Sequence, residues 1–177
     1  MGATVVIVEE NGPAATKVQT VDPSNINMGS NDSAEIVPAT YPITAMTDGH
    51  AFEKWLLIYV SDMGGSSIVD NIKIWLSALG GGYLTGEGMS TNLRESAYAS
   101  KTYPTAGPVG TDSPDADQVM PIAEPSGPNL GIGASLAGQI TAAPAYSDYA
   151  VLQLDVSNLT PAGSVNQKTL TFQWDEQ

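Results

Sequence analysis

The sequence has no cysteine, one histidine and only six basic residues in 177 positions. The absence of cysteine excludes disulfide bonds, thiolate metal sites and cysteine nucleophiles. Zinc and iron are bound mainly by imidazole and thiolate groups, so a single histidine does not favour a site for either metal. On these grounds the sequence predicts no cofactor.

Positive charge is scarce, whereas nineteen acidic residues give a formal net charge of −13. Binding to nucleic acid depends on Lys and Arg side chains that displace counterions from phosphates, and the basic residues here are scattered singly. The longest apolar run, Trp55 to Val60, is far too short to span a membrane as a helix. We therefore expect neither nucleic acid nor membrane as a partner. The acidic surface favours solubility, with contact to a basic partner as the alternative.

The composition favours strands and loops over helices. Charged residues make up only 14 %, whereas glycine (18) and proline (12) are frequent, and long surface helices are usually rich in Glu, Lys and Arg. Hydrophobic residues, at 42 %, are numerous enough to bury a core. The length fits a single domain, residues 1–177, in which the Gly/Pro-rich segment 79–145 forms a long elaborated loop.

Two neighbouring segments show the clearest strand patterns. Phe52 to Asp62 has apolar residues at both odd and even positions, which is typical of a central strand covered on both faces. Val69 to Ala78 alternates between an aliphatic face and a mixed face that includes Lys73 and Trp75. The short Gly-rich connection between the two segments predicts a hairpin.

The C-terminal part contains a second pair of alternating segments, Tyr149 to Ser157 and Gln167 to Asp175. Thr160-Pro161-Ala162-Gly163 between them fits a type I turn, so a second hairpin is predicted. Further strands are expected at Glu95 to Thr102 and at Gln118 to Ile122. Together these patterns predict an all-β fold, an antiparallel β-sandwich. Both the jelly-roll and the immunoglobulin-like forms fit.

Patterns that indicate catalysis or metal binding are weak. His50 would have to serve any Ser-His-Asp relay, but no G-x-S-x-G motif occurs. Two of the many acids could form a glycosidase pair, although most acids fall in loops or on polar strand faces. Calcium best suits loop carboxylates. Asp112, Asp115 and Asp117 are clustered without EF-hand spacing, and we interpret them as a solvated acidic loop.

Three residues are candidates for contact with a partner or ligand: Trp75, Lys73 and Tyr83. Trp75 shares a strand face with Lys73, opposite the aliphatic residues, so part of its ring is expected at the surface. Three interpretations are open for it: packing under the long loop, a place in a subunit interface, or stacking on a sugar. Tyr83 follows a run of three glycines and offers a second aromatic face.

Five segments of the sequence together resemble one class of known proteins: EKWLLIYVSD, VDNIKIWLSA, NLGIG, YSDYAVLQLDVS and KTLTFQWDE. The last of them ends in Trp174-Asp175-Glu176, after a turn that contains Ala162-Gly163. In these features the chain resembles minor virion proteins of tailed bacteriophages, in which a β-sandwich ends in a strand with a final aromatic–Asp–Glu. The resemblance covers roughly residues 50–78 and 129–177.

The resemblance implies a non-enzymatic component of the virion, such as a capsid decoration, neck or tail accessory protein. It also implies symmetric homo-oligomers and contacts with other virion proteins, for example a capsid or tail protein. Strong strand patterns beside weak catalytic patterns favour the same role. The alternative is a carbohydrate-binding β-sandwich module, with Trp75 and Tyr83 as stacking faces. A hydrolase that uses paired carboxylates in its loops is a third hypothesis.

Overall fold

The computed structural model describes residues 1–43, 49–78, 80, 82–98, 118–163 and 166–177. Within these residues lie ten β-strands and one 3-10 turn, Ala14–Thr16. The strands are β1 (Thr4–Asn11), β2 (Val18–Val21), β3 (Gly49–His50), β4 (Lys54–Asp62), β5 (Val69–Ala78), β6 (Glu87–Glu95), β7 (Gln118–Val119), β8 (Ala145–Tyr146), β9 (Tyr149–Val156) and β10 (Thr169–Glu176).

The strands form two sheets in which every pair is antiparallel. The larger sheet has the order β2-β1-β4-β9-β6-β7, with β3 paired to β9 and β8 paired to β4. The smaller sheet consists of β10 and β5. The chain is therefore all-β with antiparallel sheets, as the sequence predicts, and the arrangement is compatible with a β-sandwich.

Strand β4 is buried on both of its faces. Leu56, Ile58 and Val60 belong to the main core, whereas Trp55 and Leu57 belong to a second apolar cluster on the opposite face. All five side chains are at most 3 % exposed. The prediction of a central strand covered on both sides is confirmed.

The main core joins the two sheets. The aliphatic residues of β5 that were predicted to face inward lie in this core together with residues of β9. Full burial of each large aliphatic side chain stabilises the fold by roughly 1.5–3 kcal/mol. Three residues outside the long strands, Met120, Leu130 and Ile140, complete this core. The residues of β5 and β9 in this core are Val69, Ile72, Ile74, Leu76, Ala150 and Leu152.

The two predicted hairpins are wrong. β4 pairs with β1 and β9, whereas β5 pairs with β10 in the other sheet, and β9 and β10 are separated in the same way. The chain crosses between sheets after β4, where Gly64 has a φ of +57° and an added Cβ would lie 2.3 Å from the carbonyl oxygen of Gly2. A period-two pattern identifies the buried face of a strand but not its hydrogen-bonding partner. Placing consecutive strands in opposite sheets lets their apolar faces cover each other.

The segment 79–145, predicted as one long loop, contains a strand of the larger sheet that the sequence pattern does not reveal. β6 reads EGMSTNLRE and has only two large apolar residues, yet it pairs with β9 along most of its length. Thr91 is completely buried and its Oγ1 donates a hydrogen bond to the carbonyl oxygen of Val151 at 3.0 Å. The position of β6 between β9 and β7, rather than its intrinsic propensity, therefore determines this strand.

Two strands expected within the same segment have different outcomes. The predicted strand Glu95 to Thr102 is wrong at its start, because β6 ends at Glu95 and residues 96–98 lie outside any strand. The rest of that range lies outside the described residues. The prediction for Gln118 to Ile122 is confirmed in part by the two-residue strand β7.

The placement of the β5 aliphatic face in the core predicts a contrast between two substitutions. Ile74 is 0 % exposed and Val119 is 74 % exposed. Ile74→Ala is expected to lower the free energy of unfolding by roughly 2–5 kcal/mol, because it leaves a cavity between the sheets. Val119→Ala is expected to change it by less than about 0.5 kcal/mol. Urea unfolding followed by circular dichroism measures both values, and equal effects would contradict this placement.

Candidate interaction surfaces

Trp75 and Lys73 lie together on the outer face of the smaller sheet. In the register of β5 with β10, Thr171 stands opposite Trp75 and Gln173 stands opposite Lys73. Trp75 and Lys73 are both partly exposed. We call these four residues the Trp75 face, in which hydroxyl, amide and ammonium groups surround one indole ring.

One border of the Trp75 face is formed by the chain that follows β7. The N–H of Leu76 donates to the carbonyl oxygen of Pro121 at 2.8 Å, and Lys73 Nζ lies 2.7 Å from Glu124 Oε1. Because the Glu124 side chain is 52 % exposed, this ion pair contributes at most about 1 kcal/mol. The long segment therefore flanks the Trp75 face but leaves part of the indole ring at the surface.

Tyr83 lies apart from this face. It packs against the main core, and its hydroxyl is buried without a hydrogen-bond partner in the described part of the chain. Burial, aided by the carboxylates of Glu87 and Asp155, raises the pKa of Tyr83 to about 12. Lys168 Nζ lies 5.0 Å from the ring centroid, so a cation already covers one side of the ring. The structure thus brings Trp75 and Lys73 together and places Tyr83 elsewhere.

His50 and Ser90 meet at Asp155, because β3 and β6 both pair with β9. His50 Nδ1 lies 2.6 Å from one carboxylate oxygen of Asp155, and Ser90 Oγ donates to the other at 2.5 Å. In a catalytic relay the imidazole lies between the serine and the acid. Here the carboxylate lies between the serine and the imidazole, so the three residues do not have the order of a Ser-His-Asp relay.

The acidic cluster of Asp112, Asp115 and Asp117 lies outside the described residues. Within the residues that are described, no three His, Asp or Glu side chains converge in a way that could hold a metal ion. In the same part of the chain, no helix has the length and hydropathy needed to cross a membrane.

A groove of about 350 Å³ opens on the outer face of the larger sheet. We call it the tyrosine groove, because two tyrosines, Tyr146 and Tyr149, line it. Its members come from distant parts of the sequence and share no motif, so sequence analysis missed it. The lining residues are Glu10, Lys17, Gln19, Leu57, Ser96, Tyr146, Ser147 and Tyr149.

Glu10 connects the polar side chains of the tyrosine groove. Its side chain is 1 % exposed and accepts hydrogen bonds from Lys17 Nζ at 2.5 Å, Gln19 Nε2 at 2.5 Å and the Tyr149 hydroxyl at 2.7 Å. Burial alone would raise the pKa of Glu10, but the hydrogen bonds from Gln19, Lys17 and Tyr149 outweigh it and hold this pKa below its ordinary value of 4.5. Burial would likewise lower the pKa of Lys17, and its bonds to Glu10 and Tyr149 raise it instead.

Two groups of aromatic rings border the groove. Trp55 packs edge-to-face on Tyr98 and on Tyr149, with ring centroids 5.1 and 5.3 Å apart. Tyr59 and Tyr146 stack with centroids 4.7 Å apart and an interplanar angle of 21°. The first group is mostly buried, whereas Tyr146 is 47 % exposed. The stacked pair therefore presents an aromatic surface to solvent.

A separate polar cluster is buried where β1 ends and β4 begins. Lys54 Nζ lies 2.7 Å from Glu9 Oε1, and both side chains are at most 1 % exposed. Asn11 Nδ2 donates to the same Glu9 oxygen at 3.1 Å and to Asp32 Oδ1 at 3.2 Å. We call Glu9, Asn11 and Lys54 the Lys54 cluster. The sequence gives no signal for it, since Lys54 occupies a position that strand alternation assigns to the aliphatic face of β4.

Comparisons of the chain with protein-family models, with curated proteins and with solved structures find no match. No identity or function is therefore transferred from another protein. The surfaces described above are the basis for inferring what the chain does.

The hydrogen bonds of Glu10 predict how stability depends on pH. Because its pKa is lowered in the folded chain, ionised Glu10 contributes stability that is present above pH 4.5 and is lost as the pH falls through the folded-state pKa. Glu10→Gln is expected to lower the free energy of unfolding by roughly 1–3 kcal/mol at neutral pH. The difference from the unsubstituted chain should shrink on acidification from about pH 5 to about pH 3.

The exposed pair of Lys73 and Glu124 supplies a matched control. Glu124→Gln is expected to change the free energy of unfolding by less than about 1 kcal/mol at any pH, because the pair is screened by solvent. Urea unfolding at several pH values measures both variants. A Glu10→Gln effect that stays constant from neutral to acidic pH would contradict the assigned role of Glu10.

Proposed function

We propose that the chain is a non-enzymatic structural protein of a virus particle, a capsid decoration or other virion accessory protein, which binds its neighbours through the smaller sheet. The proposal depends most on the outer edge of β10, the edge that faces away from β5. Among the described residues, the backbone of β10 pairs only with β5. Within the described part of the chain its other edge is therefore unpaired, and alternate residues of this eight-residue strand direct their N–H and C=O groups along it. Such an edge is a template for a strand from another chain.

The residues of β10 suit pairing with a second copy of the same strand. An antiparallel pair centred on Phe172 places Leu170 of each copy opposite Trp174 of the other, and Thr171 opposite Gln173. Opposed residues share a face of the sheet. Leu170, Phe172 and Trp174 would thus remain on the core side, where they already pack. The result is a self-complementary, two-fold interface, the commonest type in homo-oligomers.

The same pairing would enlarge the Trp75 face. Two copies joined through β10 form one sheet of four strands, and each copy contributes a partly exposed Trp75 beside Lys73 and Gln173 to its outer surface. On this surface Thr171 and Gln173 of the two central strands lie between the two indole rings, and aromatic side chains are enriched in protein–protein interfaces. A capsid or tail protein is the partner that we propose for it.

The assignment to a particle is supported by the resemblance to minor virion proteins of tailed bacteriophages. The residues that show it, 50–78 and 129–177, include β4, β5, β9 and β10, so both sheets take part. We also propose a jelly-roll or immunoglobulin-like connectivity, since the chain changes sheet after β4 and again after β9. A net charge of −13 would keep separate copies soluble before assembly.

Charge substitutions on β10 test the pairing. In Thr171→Lys/Gln173→Lys, like charges would oppose each other across the two-fold axis, so the dimer should dissociate at concentrations at which the unsubstituted chain is dimeric. In Thr171→Lys/Gln173→Glu, opposite charges would face each other, so the dimer should persist. Sedimentation velocity measures the masses, and thermal unfolding of each variant checks that the fold is retained.

The particle assignment is tested by co-purification from the native source. The unsubstituted chain should travel with intact particles through a density gradient, and the doubly lysine-substituted chain should be depleted from them. A chain that stays monomeric at every concentration and never accompanies particles would contradict the proposal. So would equal behaviour of the two charge variants.

A carbohydrate-binding module is the second candidate, and the stacked pair of Tyr59 and Tyr146 favours it. The exposed ring of Tyr146 adjoins Lys17 and Gln19 in the tyrosine groove, and an aromatic plane beside hydrogen-bonding groups suits a sugar ring. On this hypothesis Tyr146→Ala should weaken oligosaccharide binding at least about tenfold, a loss of about 1.4 kcal/mol. Tyr41→Ala, which removes another exposed tyrosine (39 % exposed), should leave it unchanged. A glycan array without hits would exclude this candidate.

A further inference from the structure

The Lys54 cluster places an amine, a carboxamide and a carboxylate together in the protein interior. Glu10 pairs with Trp55 in the register of β1 with β4, so Asn11 and Lys54, one residue further along each strand, face each other. Lys54 Nζ and Asn11 Nδ2 both bind Glu9 Oε1, at 2.7 and 3.1 Å. One carboxylate oxygen therefore contacts both the amine and the carboxamide nitrogen.

From this geometry we infer that Lys54 and Asn11 form an intramolecular isopeptide bond, with Glu9 as the proton carrier. The reaction joins β1 to β4 by an amide between Lys54 Nζ and Asn11 Cγ, and it releases the Asn11 side-chain nitrogen as ammonia. Lysine amines act as nucleophiles when they are neutral and correctly positioned. This inference does not depend on the proposed function, because both reacting groups belong to one chain.

The step balances without any further reactant. The Lys54 ammonium first gives one proton to Glu9 Oε1, and the free amine attacks Cγ of Asn11. The bond between Cγ and Nδ2 then breaks as Nδ2 takes the proton from Glu9 and leaves as ammonia. Glu9 accepts a second proton from Nζ, which is now bonded to Cγ. This proton follows the ammonia to water as ammonium, and Glu9 is again a carboxylate.

The surroundings of the cluster favour this reaction. Lys54 and Glu9 are buried, and two buried ions cost more desolvation than a neutral amine beside a neutral acid. Asn11 Oδ1 and Glu9 Oε2 are both buried and have no hydrogen-bond partner among the described residues. A protonated Glu9 has a donor that Asn11 Oδ1 lacks at present. Fixed neighbours on adjacent strands also remove the entropy cost of bringing the groups together.

Mass spectrometry of the intact, full-length chain tests the bond directly. The folded protein should weigh about 17 Da less than its sequence, the mass of one ammonia. Proteolytic fragments should include a branched peptide that joins a β1 segment to a β4 segment through Lys54 and Asn11. An unaltered mass after prolonged incubation of the folded protein would overturn the inference, whatever the behaviour of any variant.

Variants separate this bond from other losses of ammonia. Lys54→Arg and Glu9→Gln should restore the full mass, and circular dichroism checks that each variant folds. Lys17→Arg is the matched control, because Lys17 forms a similar trio with Glu10 and Gln19 but is 33 % exposed and lies outside the Lys54 cluster. This variant should keep the mass deficit. Asn11 precedes Gly12, so ammonia could also be lost to a succinimide within β1. A deficit that persists in Lys54→Arg, or that lacks the branched peptide, would overturn the inference.

Discussion

The fold depends on burying both faces of β4. Its aliphatic face needs a second layer, which β5, β10 and the chain after β7 supply, and its other face needs the cover given by Tyr98 and Tyr149. Because β1 and β9 occupy the two edges of β4, β5 has no place beside it and crosses to the opposite sheet. The sheet crossing, the small second layer and the aromatic outer cluster all follow from this one constraint.

The alternation of apolar and polar residues predicted which face of each strand is buried. It did not predict which strands pair with each other. The inward residues of β5 and β9 followed from period-two spacing. Pairing depends on contacts between distant segments, so β4 and β5 read as a hairpin although they lie in different sheets. β6 was not predicted, because its sequence is mostly polar and it forms a strand through pairing with its neighbours in the sheet rather than through its own propensity. The sequence places Lys73 and Trp75 correctly on one face, but the tyrosine groove and the Lys54 cluster arise from residues that only folding brings together.

The tyrosine groove and the smaller sheet differ in which hydrogen-bonding groups they leave without a partner in the described part of the chain. In the tyrosine groove, the Glu10 carboxylate already accepts hydrogen bonds from Lys17, Gln19 and the Tyr149 hydroxyl. Most of the buried hydrogen-bonding groups there are therefore satisfied within the chain. The smaller sheet instead ends in a strand whose outer backbone groups have no partner among the described residues. Unused backbone groups are the stronger signal for association with another chain. A covalent link between β1 and β4 would stiffen the larger sheet against which such contacts are made.

If copies of the chain meet at the smaller sheet, the amide hydrogens on the outer edge of β10 must gain shielding when the copies associate, whereas those bonded to β5 are shielded in both states. Hydrogen–deuterium exchange followed by mass spectrometry, at concentrations below and above the association midpoint, measures this shielding peptide by peptide. We expect peptides that cover Thr169–Glu176 to exchange more slowly in the associated state, with those of β6 unchanged. Equal exchange of Thr169–Glu176 in the two states, or protection confined to the larger sheet, would contradict the account.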